Sequence, residues 1–226
     1  ASDMTEERRL DKQRDEFLGI ASHELKTPVT SLKAYAYVLQ QRLMLGERET
    51  GLELAKKMTH QVDRLAKLVR DLLNVARIEQ GKMKLKKTSF LFDHLVKEVV
   101  DEVQYTTSQH QIKIEGMTKA KVYADRERIG QVIRNYLSNA IKYSPQANTV
   151  LVSPMTSPKN VTLAVTDYGI GIAPEYQTRV FEQFFRIQDE TDVEVFSGLG
   201  IGLHIAREII LRHGGKTSLV SKTGKG

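Results

Sequence analysis

Hydrophobic positions recur with two different periods along this chain. Across residues 10–80 they return every three or four places, as in a helix that hides one face. Leu10 to about Leu45 forms one predicted helix, "GERETG" (46–51) a polar turn, and a second predicted helix runs to about Gln80. Gly81 stands in the C-terminal cap position of that second helix. Within it Ala55, Met58, Val62, Leu65, Val69, Leu72 and Ala76 alternate steps of three and four, a sustained heptad seam. Two long amphipathic helices joined by a short turn predict an antiparallel hairpin. One hairpin cannot cover both apolar stripes, so self-association into a four-helix bundle is expected.

After Gly81 the period changes. Helices are predicted at 91–105, 126–143 and 201–213, the second capped by Asp125, with a short one starting at Pro174. Strands are predicted at "QIKIEG" (111–116), "KVYAD" (121–125), "NTVLVS" (148–153) and "VTLAVTD" (161–167), with "PMTSPKN" as the turn between the last two. Strands and helices without strict alternation suggest an α+β sandwich, its helices on one face of a mixed sheet. Polar "GKMKLKKTS" (81–89) marks the boundary.

Composition narrows the picture slightly. The chain has 226 residues, 40% hydrophobic and 27% charged, ordinary proportions for a soluble globular protein. It has no apolar run of roughly 18 residues and no signal-peptide pattern at its start, so a soluble, cytoplasmic segment is expected. Absence of cysteine excludes disulfides and thiolate metal sites and fits a reducing compartment. The net charge of +6 suits an anionic partner, but the basic residues are scattered and Trp is absent, weak evidence for nucleic acid. A solvated surface with a few phosphate-binding Lys and Arg residues accounts for the excess.

Candidate chemistry begins at "FLGIASHELKTPVTSL" (17–32). Phe17, Ala21, Leu25, Val29 and Leu32 follow the helical period, and His23 lies about 200° round the helix from Ala21 and Leu25. Glu24 follows it and Thr27 sits one turn on, over the same face. Pro28 removes a backbone hydrogen bond and should bend the helix there. A coiled-coil spacer without chemistry would have no use for this exposed histidine. Glycines cluster in "DYGIGI" (167–172) and "GLGIGL" (198–203), neither a Walker A loop nor a complete dinucleotide fingerprint. The second opens into a helix, where amides can hold phosphate. Asn135 and Asn139 share one helix face with Tyr143, and Lys142 lies beside them. Amide oxygens suit Mg²⁺, and an ammonium offsets phosphate charge. Alone, such asparagines read as solvent-facing; beside two glycine clusters they read as a site.

These residues resemble, over nearly the whole chain, the transmitter portion of a sensor histidine kinase. "SHELKTP" (22–28) is similar to the phosphoacceptor box and "NYLSNAIKYS" (135–144) to the asparagine box. "DYGIGI" and "SGLGIGL" are similar to the two glycine boxes, and "FEQFFR" (181–186) to the phenylalanine box. The resemblance implies a linker from an upstream PAS sensor at 1–16, a dimerisation and phosphotransfer domain at 17–85, and an ATP-binding α/β sandwich of the GHKL type at 86–226, its last strand missing. It implies that His23 accepts the γ-phosphoryl group of ATP with Glu24 as general base, and that Thr27 serves a phosphatase reaction. Asn139 would hold Mg²⁺ with Asn135 in support, Lys142 would reach the phosphates, and Tyr143 would lie against the nucleoside. Asp167 would bond the adenine amino group, with Gly169 and Gly171 leaving room for the base. Gly198, Gly200 and Gly202, with Leu199 and Leu203, would form the hinge of a lid over the phosphates at 187–197. Phe184, Phe185 and Arg186 would couple that lid to the bundle. The implied partners are a second copy, forming a homodimer, and a response-regulator receiver domain. His60, His94, His110, His204 and His213 lack any such setting and read as structural or surface residues. Three alternatives are weighed: a transmitter acting mainly as a phosphatase; a clamp ATPase like DNA gyrase and MutL, against which "SHELKTP" argues; and a catalytically dead scaffold, disfavoured because every expected chemical residue is present.

Overall fold

The computed structural model describes residues 2–187 and 199–226, with side chains from residue 19 onward. The chain forms two compact units, divided between Gln80 and Gly81.

The first unit is a helical hairpin of α1 (Ser2–Met44) and α2 (Arg48–Glu79). The connection is shorter than the sequence suggests, because Arg48–Gly51 already form the first turn of α2. Gly46 takes φ +78°, a left-handed conformation that ends α1, and Arg42 pairs with Glu47 at 2.9 Å across the reversal. Gly51 matters for a different reason. A Cβ there would come within 3.2 Å of Leu43 and 3.4 Å of Leu39, so its small size lets the helices approach near the turn. At the far end Gly81, with φ +64°, follows the C-cap residue Gln80 as a left-handed helix stop.

The predicted heptad seam of α2 is only partly covered: Met58, Leu65, Leu72 and Ala76 are half-buried and Ala55 is exposed, while the buried positions Leu54, Leu68 and Val75 each lie one residue before a seam position. Val62 and Val69 stay exposed, together with Leu52 and Leu73. On α1 the buried positions are Ala21, Glu24 and Pro28, while Val29, expected on the apolar stripe, is exposed. The other described stripe residues are covered, Ala21 buried and Leu25 and Leu32 half-buried, and a carboxylate stands with them on the covered side. The helix runs unbroken through Pro28.

The second unit pairs β1 (Thr88–Leu91) with β3 (Lys121–Ala124), antiparallel. A separate mixed sheet has the order β2-β4-β5: β2 (Gln111–Ile114) parallel to β4 (Thr149–Thr156), and β5 (Val161–Thr166) antiparallel to β4. Against it lie α3 (Phe92–Gln104) and α4 (Arg126–Lys142); α5 (Pro174–Gln177) and α6 (Gly202–Arg212) follow. Leu95, Val96 and Val99 of α3 meet Ile133 and Leu137 of α4 and Val150 and Val152 of β4 in one core. Each such buried side chain contributes about 1.5–3 kcal/mol. Asp125 caps α4 by accepting from Arg128 N–H at 3.1 Å, and its other oxygen accepts from Lys86 N–H at 2.7 Å. His213 Nε2 accepts from Asp125 N–H at 2.9 Å, so Nδ1 carries the hydrogen and donates to the Ile209 carbonyl at 2.8 Å. This histidine ties the end of α6 to the start of α4.

Two strand expectations change. β1 was not expected, and β4 continues through Pro154, placed in the sequence-predicted turn; the reversal lies at 157–160. The proline is tolerated because pairing with β2 ends at Val152, whose carbonyl accepts from Glu115 N–H. Beyond that point no ladder donor is required on that side.

Candidate functional site

In the hairpin unit His23 is exposed on α1. Glu24, the next residue, is only 8% exposed and accepts from Arg64 Nη2 of α2 at 3.3 Å. The sequence expectation put a carboxylate beside the imidazole; the structure directs it to the covered side of the hairpin. The Thr27 hydroxyl donates to the His23 carbonyl at 3.0 Å. Pro28 is fully buried and withholds the N–H that would otherwise reach the carbonyl of Glu24. Arg64 is the residue that sequence reasoning missed. Its partner is 40 positions away, and no local period reports such a pair.

In the second unit α4 carries the asparagine box. Asn135 Nδ2 donates to the Gly202 carbonyl at 3.0 Å, joining that box to the second glycine cluster at the start of α6. With its nitrogen committed, the Asn135 amide presents its oxygen as the remaining acceptor. Asn139 lies one turn on, half-buried, and its side chain makes no hydrogen bond among the described residues. Lys142 Nζ donates to the Tyr143 hydroxyl at 3.2 Å and lies 4.8 Å from that ring's centre. Burial pushes the Tyr143 phenol up, partly offset by the positive charge of Arg186.

The first glycine cluster closes on the same place. Ile170 N–H donates to the Tyr143 carbonyl at 3.1 Å, and a Cβ on Gly169 would collide with that carbonyl oxygen. Gly169 is thus required by contact with protein backbone, in addition to any room it leaves for a base. Its N–H donates to Asp167 Oδ1 at 2.9 Å, which fixes the carboxylate and leaves Oδ2 as the second acceptor. Gly171 has φ +67°, and a Cβ there would strike the Lys222 carbonyl. Gly200, also at φ +67°, is pressed against the Phe185 carbonyl, where a Cβ would lie at 2.7 Å. Phe184 itself adopts φ +63°, a strained value for a bulky residue, and Arg179 stacks 4.3 Å from the Phe185 ring centre. Leu199 is buried and Leu203 half-buried. Gly198 and nearly all of the predicted lid lie outside the described residues.

The asparagine box is thus tied to both glycine clusters, through Asn135 to Gly202 and through the Tyr143 carbonyl to Gly169 and Ile170, while Gly200 packs on the Phe185 carbonyl of the phenylalanine box. The donor set is amide oxygen, carboxylate and ammonium. Among the described residues no cluster of three His, Asp or Glu could hold a metal. A cation here would depend on amide oxygens and on the oxygens of its substrate, as Mg²⁺ does beside nucleotide phosphates. His110 is buried against the Ser144 carbonyl at 2.9 Å and supports the end of α4 from behind. No helix among the described residues is long and apolar enough to cross a membrane.

Comparison with known proteins agrees with this geometry. Residues 13–81 match the His Kinase A (phospho-acceptor) domain, and residues 124–226 match the histidine kinase-, DNA gyrase B-, and HSP90-like ATPase family. The sensor-like histidine kinase SenX3 of Mycolicibacterium smegmatis is 33% identical over 99% of this chain and 58% of its own length. The sensor histidine kinase WalK of Bacillus subtilis is 30% identical over 99% of this chain and 37% of its own length. The chain thus spans about half the length, or less, of these curated relatives. Among solved structures, the Acinetobacter baumannii histidine kinase AdeS superposes with a TM-score of 0.65 at 28% identity, covering 90% of this chain and 93% of that one. Both domain types occur here in order, so the chain belongs to the sensor histidine kinases and comprises their transmitter core, a phosphoacceptor hairpin followed by an ATPase domain.

Proposed function

We propose that this chain transfers the γ-phosphoryl group of ATP to His23 and then to an aspartate on a response-regulator receiver domain, in two-component signalling. The observation that carries the reading is the exposed His23 on one unit, together with the joined asparagine and glycine boxes on the other. An acceptor served by a separate nucleotide domain has to be accessible. Asn135 and Asn139 fit a Mg²⁺ ion by donor type, and the ion would neutralise charge on the triphosphate. Asp167 Oδ2 accepts from the exocyclic amine of adenine, while Oδ1 stays bonded to Gly169 N–H. Tyr143 packs on the nucleoside, and Lys142 turns from the Tyr143 hydroxyl to a phosphate. Glu24 takes the proton from one imidazole nitrogen as the other attacks phosphorus.

The unit from Gly81 is the ATP-binding domain in this reading, and the hairpin dimerises through the line of Leu52, Val62, Val69 and Leu73 left exposed on α2. The segment would act on the cytoplasmic side of a longer sensor. Incubation with γ-labelled ATP tests the assignment: protein label that is alkali-stable and acid-labile identifies phosphohistidine, whereas free phosphate alone indicates a clamp ATPase. A second activity, dephosphorylation of the regulator, is favoured by Thr27, whose hydroxyl donates to the His23 carbonyl and keeps its lone pairs for a water.

A further inference from the structure

We propose that Arg64 is a positioning residue for the phosphoacceptor centre: its guanidinium, on α2, draws the Glu24 carboxylate to the covered side of the hairpin and away from the imidazole it serves. This rests on the reading of His23 as acceptor and Glu24 as its base. Arg64 Nη2 donates to Glu24 Oε2 at 3.3 Å, with the side chains 28% and 11% exposed. His23 is exposed. Consecutive helix residues project about 100° apart and do not face each other. A carboxylate anchored on α2 and an imidazole in solvent therefore diverge, although they are neighbours in sequence.

The chemistry requires them to meet. As one imidazole nitrogen bonds to the γ-phosphorus, the bond from that phosphorus to the β–γ bridging oxygen breaks and ADP leaves with the electron pair. The proton on the other nitrogen passes to the Glu24 carboxylate, which must come within about 2.6–3.2 Å to receive it. Glu24 therefore has to exchange Arg64 for His23 during each transfer.

Two features suit that exchange. Carboxylates are seldom buried without a cation, and Arg64 brings one to Glu24 on the covered side. Removing that charge favours the exposed side, where His23 lies. Pro28 withholds a hydrogen bond from the Glu24 carbonyl, so the turn that carries the base lacks one rung and can re-aim it. Arg64 and His23 thus compete for one carboxylate, and the strength of the first contact sets how often the second forms.

Arg64→Met tests this, because it keeps the apolar stem and removes the guanidinium. The expected result is a rise of at least threefold in the kcat of autophosphorylation at unchanged KM for ATP. Arg64→Lys, which retains a single-point cation, should fall between Met and wild type. Glu24→Gln combined with Arg64→Met should be as slow as Glu24→Gln alone, since the gain passes through the carboxylate. A kcat for Arg64→Met at or below wild type overturns the proposal, and marks Arg64 as a register lock or a support for the base. Should circular dichroism show that Arg64→Met has lost its helices, Arg64→Lys decides in the same way. A wild-type chain that takes no label overturns the phosphoacceptor reading and this inference with it. A labelled wild type with an unresponsive Arg64→Met overturns this inference alone.

Discussion

In the hairpin, the chemical residues are separate points on one helix, and their setting comes from a neighbouring helix and from solvent. In the ATPase unit, the corresponding residues are fastened to one another by backbone contacts: Asn135 to Gly202, Gly169 to Tyr143, Gly200 to Phe185. The apolar surface differs in the same sense. Leu95, Val99, Leu137 and Val150 are completely covered within the second unit, while α2 leaves Val62, Val69 and Leu73 exposed. One region closes on itself; the other leaves a histidine and a row of apolar side chains exposed. Substitutions should therefore fail differently in the two units.

The largest effect belongs to the exposed histidine, the proposed acceptor. His23→Ala should remove all protein label from γ-labelled ATP while nucleotide binding stays within twofold of wild type, because nothing in the ATPase unit is altered. Label that persists in the variant, or that survives acid, would refute the assignment. Gly169→Ala should do the converse and lower nucleotide affinity at least tenfold, about 1.4 kcal/mol. The added methyl group must displace the Tyr143 carbonyl, an overpacking that costs about 1–3 kcal/mol of stability as well. Calorimetric titration reads the first effect and thermal melting the second; an unchanged affinity would mean that the contact is incidental to the site.

The apolar line gives the next effect. Val69→Glu, alone or with Val62→Glu, should convert a dimer into monomers at micromolar concentration, since burying an unpaired charge costs several kcal/mol. Light scattering checks it, and a monomeric wild type removes the basis for the prediction. Leu65 and Leu72 are half-buried within the hairpin itself, so charges there would loosen the hairpin too and blur the result. Smaller again is Thr27→Ala. It should spare autophosphorylation within a few-fold and slow regulator dephosphorylation about tenfold, near 1.4 kcal/mol of barrier. Parallel changes in the two rates would reduce Thr27 to its bond with the His23 carbonyl.

How far the sequence disclosed these regions follows the same division. The helices α3, α4 and α6 and the Asp125 cap were legible because a 3.6-residue period and an N-cap residue are local signals, and each recurs in the structure within a residue or two. The asparagine and glycine boxes were legible by resemblance. Why Gly169 must be glycine was not, because the obstacle is a carbonyl 26 residues earlier in the chain. β1 escaped notice because three of its four residues are exposed, so no alternation marks it. Pro154 reads as a turn residue until the end of β2 is known. The inward turn of Glu24 depends on Arg64, a partner supplied by the return helix and invisible to any window that covers one helix.

The smallest effect concerns acid, and it should have opposite signs in the two units. In the hairpin, burial raises the Asp71 carboxyl above its ordinary value of 3.8, against the opposing charges of Lys67 and Arg70. A carboxyl raised in the folded state costs stability while it is ionised, and that cost fades as pH falls through the raised value. In the ATPase unit, desolvation works to raise Asp93, but hydrogen bonds from Thr118 N–H, Lys119 N–H and the Thr118 hydroxyl prevail and hold it below 3.8. A lowered carboxyl contributes stability that is fully present above the unfolded value and lost as pH falls through the folded one. Between pH 6 and pH 3, then, the Asp71 contribution becomes more favourable and the Asp93 contribution less so. Asp71→Asn should raise the hairpin's melting temperature at pH 6 and change it little at pH 3. Asp93→Asn should lower that of the ATPase unit at pH 6, where the carboxylate accepts from three donors, with the deficit narrowing at pH 3. Calorimetric scans of the two variants at both pH values measure this directly, and shifts of the same sign would show that burial and hydrogen bonding do not divide between the units in this way.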